Sequence, residues 1–460
     1  MLRSGINGGI RRAYARPAGD ISISTLANGI KVAVSLIPCH FSAIGCYVQA
    51  GSRVETSLTT GCSHLFDRLA FKSTREFSQE QMEQSLLAIG GNYSCQSSRE
   101  TMMYQGSTFH KDFEKLVHMV SQTVNEPLLS ASEVSEQVEN AKFELAEIEQ
   151  KPELILPELS HQTAFKNQLG NPLLCPKERL SLITPSQMWQ YRHELYVPSR
   201  MTLAFTGVEE SKALELAEKY WGNLKPAPAG PSRVRSTYTG GEKCIPLAKQ
   251  VGNIPVFEHL HVMYRGVGIN DRDIYAISVL QVLLGGGSSF SAGGPGKGMF
   301  SRLFTQVLNK YGFVESCNGV NLPYSDDGLF GISCGVIPGA AKYAAYVVGS
   351  QLALLMTPGQ LKTDEVERAK KQLCSQLVMN LESRMVELED TGRQVSLNGK
   401  KLAVREMIES IERLSAKDLE SAAARVLTGS KPTMVMQGSR EEFGDVAKVL
   451  TDFGLGASSS

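Results

Sequence analysis

The chain has 460 residues, 42% of them hydrophobic and 20% charged, with 47 basic residues against 47 acidic ones. That length exceeds what a single core accommodates, so two or more domains are expected. Zero formal net charge argues against nucleic acid as the main partner, because nucleic-acid binding demands a basic face.

The first nineteen residues, MLRSGINGGIRRAYARPAG, carry Arg3, Arg11, Arg12 and Arg16 and no acid before Asp20. Basic, acid-free N-termini are typical of mitochondrial import signals, so 1–19 is expected to be a presequence. Arg12-Ala13-Tyr14-Ala15 resembles the pattern at which matrix proteases cut. Cleavage after Tyr14 would remove three of the 47 basic residues and leave 44 against 47 acidic ones, a mildly acidic mature chain. Nine scattered cysteines follow (Cys39, Cys46, Cys62, Cys95, Cys175, Cys244, Cys317, Cys334 and Cys374), with no C-x-x-C among them. That is the usage of buried thiols in a reducing compartment. No stretch reaches the ~20 apolar residues of a membrane helix.

Strand-like runs at Ile21–Ser35 and Ala43–Ala50 lead into GCSHLFDRLAFKST (61–74). A zinc peptidase of the inverted kind reads H-x-x-E-H here, because residues i and i+4 share a helix face and two imidazoles so placed hold one Zn²⁺. This chain keeps His64, shortens the acid to Asp67 and puts Arg68 where the second His belongs. Arginine has no lone pair to give and stays protonated. One His followed by an acid is, by itself, more often a core or surface residue than a ligand.

Two amphipathic segments, 136–158 and 364–390, match with Val138 against Val366, a shift of 228. A strand-to-helix segment at 195–224 matches 426–455, Gly207 against Gly438, a shift of 231. Two matches at nearly one shift point to an internal duplication. The Pro/Gly/Ser-rich stretch 225–241 reads as the linker between the copies. The expected domains are therefore 20–224 and 242–455. With strands early and late and helices between, each is expected to be α+β, a mostly antiparallel sheet covered by helices.

The second half holds GGGSSFSAGGPGKG (285–298), seven of its fourteen residues glycine. It fails both G-x-x-x-x-G-K-[ST] and G-x-G-x-x-G. A Gly/Ser run is usually a plain connector, yet this one lies inside a half, between the helical patterns of 273–284 and 298–313. Long loops inside compact domains are often functional.

His64-x-x-Asp67-Arg68, followed by Gly90-Gly91 and a Glu-rich helix, resembles the pitrilysin-type (M16) metallopeptidases. Glu144 in KFELAEIE stands where that family places its third zinc ligand. The resemblance implies a family member with a degenerate motif (His64, Asp67, Arg68, Glu144), no metal of its own and no peptidase activity by itself. GGGSSFSAGGPGKGMFSRLF, VERAKKQL and NLESRMVELEDTGRQV resemble the α-type subunits of the family's mitochondrial processing peptidases, with Met385 departing from the usual Pro. What this implies is a heterodimer in which a β subunit carries the zinc. The present chain would bind presequence peptides of imported precursors in the matrix. The residues so implicated are Gly285, Gly286, Gly287, Ser288, Ser289, Phe290, Ser291, Ala292, Gly293, Gly294, Pro295, Gly296, Lys297 and Gly298. Glu365, Glu389 and Asp390 are implied to supply acids for basic presequences; the bland alternative for all three is a solvated helix face. A competing role from another class is a structural core subunit of the cytochrome bc1 complex, whose members share the fold and the broken motif. An independent zinc peptidase fits poorly, since His64 and Glu144 are only two of the three protein ligands a catalytic zinc normally takes.

Overall fold

A computed structural model describes residues 21–35, 40–226, 234–247, 256–288 and 299–456. The chain divides into two compact units, one built from Met1–Phe143, Pro172–Arg233 and Leu377–Ile408, the other from Glu144–Asn171, Val234–Gln376 and Glu409–Ser460. The presequence stretch 1–19 lies outside the described residues.

The first unit contains strands β1 (Ile21–Thr25), β2 (Lys31–Ser35), β3 (Ser42–Val48), β4 (Asn92–Ser97), β5 (Met102–Thr108) and β6 (Met201–Thr206). They form one sheet in the order β1-β2-β6-β3-β5-β4. Only β2 and β6 pair in parallel. Strands β3, β5 and β6 are buried along their whole length, as strands covered on both faces are. The polar edge strand β4 is largely exposed. Helix Arg384–Asn398 packs on β2, β3 and β6, and helix Phe113–Asn125 on β3 and β5. Tyr47 on β3 joins sheet to helix: its hydroxyl donates to the Leu388 carbonyl at 3.0 Å and accepts from Gln105 Nε2 at 2.9 Å.

The second unit repeats the plan with β7 (Gly241–Ile245), β8 (Glu258–Arg265), β9 (Gly286–Ser288), β10 (Val314–Pro323), β11 (Gly328–Val336) and β12 (Thr433–Gln437). Their order is β7-β12-β8-β11-β10-β9, again with one parallel pair, β7 with β12. β6 and β12 occupy equivalent places, each between a parallel and an antiparallel neighbour. Each ends at a glycine of positive φ, Gly207 (+69°) and Gly438 (+148°). The duplication and the α+β class read from the sequence are both present.

The helices depart from a simple cut at the linker. The amphipathic pattern at 136–158 is two helices, Ala131–Ile148 and Pro152–Ala164, and the pattern at 364–390 is likewise two, Thr363–Glu382 and Arg384–Asn398. Pro152 opens a helix where its missing N–H costs nothing. Helix Pro152–Ala164 packs on β12, β7 and β8. Each half of the sequence thus gives the helix after its break to the unit built on the other half's strands. Part of the expected linker is also structured. Lys166 N donates to Thr237 O at 2.9 Å, Thr239 N to Ala164 O at 2.8 Å, and Gly241 already belongs to β7. Pro/Gly/Ser composition disfavours helix, but it leaves an extended strap free to bond along 164–167.

Candidate functional site

The motif helix is Cys62–Leu69, entered from Gly61 at φ +89°. No local side chain caps it. Glu55 does so from six residues upstream, accepting from Gly61 N at 2.8 Å and Ser63 N at 2.7 Å. These are two of the N–H groups a helix start leaves open, and a carboxylate there also suits the helix dipole. Burial nevertheless pushes the Glu55 carboxyl up to about 7, against the opposing pull of the Ser63 and Gly61 bonds and the Arg179 charge.

His64 is 2% exposed. Its Nδ1 accepts from the Cys175 backbone N at 3.3 Å. Asp67 Oδ2 accepts from both the backbone N (2.8 Å) and the Oγ (3.0 Å) of Ser97 on β4, and Asp67 Oδ1 lies 3.2 Å from Arg68 Nη1. The acid that would hold a nucleophilic water is therefore tied to a strand and neutralised by the residue beside it. Glu144, half-buried on helix Ala131–Ile148, falls in the second unit. One imidazole, a committed aspartate and a fixed guanidinium do not make a zinc site: the donor set lacks a second neutral ligand and contains a cation that repels the metal. Among the described residues no group of three or more His, Cys, Asp or Glu is placed to hold a metal ion.

The eight described cysteines are free thiols, and burial pushes the Cys175 thiol up to about 12. A buried thiol held protonated in this way is a poor nucleophile. Cys39 lies outside the described residues.

Of the glycine-rich run, Gly285 to Ser288 are described, while Ser289 to Gly298, Phe290 among them, lie outside the described residues. The near end is a packed stem. Gly285 has φ +56°, and a Cβ there would sit 2.3 Å from the Ser301 Cβ; a Cβ on Gly286 (φ +123°) would sit 2.0 Å from the Cys317 carbonyl oxygen. β9 pairs with β10, and Gly286 N donates to Ser301 Oγ at 3.1 Å. The first two glycines thus serve close approach of backbones, whereas composition alone suggests deformability. On the far side Met299 and Phe300 are exposed and a π-helical turn, Phe304–Leu308, follows. Such turns recur at functional sites.

The three acids singled out from the sequence all have partners. Glu365 forms a two-point ion pair with Arg302, Nε to Oε1 at 2.9 Å and Nη2 to Oε2 at 2.6 Å, in surroundings that leave the two side chains 13% and 6% exposed. Asp390 binds Lys401 Nζ at 2.5 Å and Gln394 Nε2 at 2.9 Å. Glu389 lies 3.2 Å from Arg393, and its side chain and that of Asp390 are about equally exposed, 34% and 33%, both more than Glu365. Glu365 belongs to the second unit, and Glu389 and Asp390 to the first. The sequence reading missed Glu55, Ser97, Arg302 and Cys175. None of the four has a short-range motif to mark it.

Residues 31–177 match the model of the family described as insulinase (peptidase family M16), and residues 182–373 match that of the peptidase M16 inactive domain. The mitochondrial-processing peptidase subunit alpha of Neurospora crassa is 42% identical, across 92% of this chain and 87% of that protein. The probable mitochondrial-processing peptidase subunit alpha of Schizosaccharomyces pombe is 40% identical, across 95% and 89%. The human mitochondrial-processing peptidase subunit alpha is 34% identical, across 91% and 82%. None of these names supports a structural role in the cytochrome bc1 complex.

Proposed function

Because this chain belongs to the M16 peptidase family, we propose that it acts there as a non-catalytic subunit of a mitochondrial processing peptidase. It captures presequences of imported precursors and presents them to a zinc-bearing β subunit in the matrix. One observation carries the reading: the motif helix has lost its metal-binding donor set, while a chain of this length keeps about two-fifths identity to proteins named as α subunits of that peptidase. A subunit that has lost the chemistry and is otherwise kept intact serves the reaction by binding.

The capture surface assigned here is the glycine-rich run 285–298, with Phe290 and Met299 offering adaptable apolar contact. Glycine carries no side chain to cover its N–H and C=O groups, which suits extended peptides of many sequences, because main-chain bonds give affinity without reading side chains. Presequences are basic, so acidic surface such as Glu389 raises their local concentration. Asp390, held by Lys401, contributes less. No helix among the described residues is long and apolar enough to cross a membrane.

The test is to purify residues 15–460 and assay cleavage of a fluorogenic presequence peptide. The chain is assayed alone, with a zinc-competent β subunit, and with that subunit after deletion of 289–298. Activity in the pair only, lost with the deletion, is expected. Chelator-sensitive activity from the chain alone would overturn the reading of Asp67 and Arg68.

A further inference from the structure

We infer that Glu365 is a positioning residue for the glycine-rich run: with Arg302 it clamps the run's C-terminal stem, and it does not itself meet the peptide. The inference rests on the capture role assigned above to 285–298. Arg302 stands four residues past the end of that run. Its Nε and Nη2 grip both oxygens of Glu365, and Nη2 also donates to the Gln360 carbonyl at 3.0 Å. Planar two-point pairing fixes orientation as well as distance. One turn along the same helix, Arg368 Nη2 donates to the Phe300 carbonyl at 3.0 Å. Beside this, Ser301 Oγ takes the Gly286 N–H of the opposite stem. Both ends of the run are thereby fastened within four residues, and helix Thr363–Glu382 supplies the fixed side.

An acid that reads a basic peptide should be accessible and uncompensated. Glu365 is neither, since its partner is nearly fully buried and its two oxygens are both used. A loop held at both ends loses less freedom on binding than one hinged at a single end, and that entropy appears directly in affinity.

The two roles predict opposite results for Arg302→Met. If Glu365 contacts the peptide, removing its internal partner frees a negative charge for a basic ligand, and KM falls or stays unchanged. If the pair is a clamp, KM rises although no acid has been lost. In the full chain reconstituted with a zinc-bearing β subunit, Arg302→Met and Glu365→Gln are each expected to raise KM for a basic presequence peptide about tenfold. The double variant should be no worse than either single one, and kcat should change less than about twofold. The reversed pair, Arg302→Glu with Glu365→Arg, should recover part of the loss. Arg302→Lys retains the charge without the fork, so it should raise KM by less and serves where the Met variant does not fold. Limited proteolysis should show faster cutting next to Phe300 in the single variants.

A tenfold rise confined to Glu365→Gln, with Arg302→Met and Arg302→Lys unchanged, would overturn the clamp and return Glu365 to direct contact. Deletion of 289–298 separates the two levels. If deletion leaves KM unchanged, the capture role of the run fails; if deletion raises KM while the Arg302 variants do not, only the clamp fails.

Discussion

At the scale of single residues, the motif helix shows how a catalytic acid position becomes a structural one. Asp67 is one methylene shorter than Glu, and its carboxylate is met by Ser97 N–H and Oγ at 2.8 and 3.0 Å. The sequence exposes the missing second His, but it hides this replacement, because Ser97 lies thirty positions away on β4. Glu55 is equally invisible and has a measurable signature. Its folded carboxyl, raised by burial to about 7, holds its proton at a higher pH than an exposed one near 4.5 does. Between those values the native state binds more protons than the unfolded chain, so this group's contribution to stability is full below about pH 4.5 and is lost as pH rises through 7. The gap amounts to at most roughly 3–4 kcal/mol, at roughly 1.4 kcal/mol per pH unit. Glu55→Gln removes the titration and also sets an amide against the Gly61 or Ser63 N–H. Melting temperatures of the two proteins across pH 4.5–8 should show the wild type losing stability relative to the variant as pH rises. Parallel curves would mean that Glu55 titrates normally.

At the scale of elements, alternation and helical spacing marked the runs that hold β1 to β3, β6 and β12, and with them the repeat, because these are local patterns with one dominant period. β4, β5, β10 and β11 were not marked, and β9 lies in what read as a loop. The breaks were not legible. Gln150-Lys151-Pro152 signals a helix start, yet nothing local says that the new helix will pack on β12, β7 and β8. Ser383 carries still less. The partners of these helices lie far along the chain, and tertiary contact decides them. One residue does mark the fit of helix Arg384–Asn398 on the first sheet. A Cβ on Gly392 would lie 2.0 Å from the Tyr47 ring, which Gln105 and the Leu388 carbonyl hold in place. In an exposed helix, Gly→Ala is favourable by about 1 kcal/mol. Here the collision outweighs it, since overpacking a closed core costs about 1–3 kcal/mol. Gly392→Ala should therefore lower the denaturation midpoint, while in a Tyr47→Ala background the same change should be neutral or stabilising. An additive double variant would show that the ring is not the obstacle.

At the scale of the whole chain, family matching and packing divide the molecule differently. The two family models match consecutive stretches, 31–177 and 182–373, whereas each compact unit takes a segment from the other half. This difference has a physical consequence. A fragment of residues 1–226 contains every strand of the first sheet but lacks 377–408. It therefore leaves Ala43, Tyr47, Met103 and Ala204 without Leu388 and Met385, which complete their cluster. The same fragment carries 144–171, whose Ala164, Phe165 and Leu169 form a core with Met263 and Leu329 of the second unit. Both clusters would then expose apolar surface, at about 25 cal/mol per Å², in a fold whose usual net stability is only about 5–15 kcal/mol. Fragments 1–226 and 234–460 should each be aggregated or unfolded when produced alone, and soluble as a stoichiometric pair when produced together. The check is co-purification on a tag carried by one fragment, followed by circular dichroism of the pair. If 1–226 alone is monomeric and melts cooperatively, the first unit does not need Leu377–Ile408, and the duplication would be two independent domains joined at 225–241.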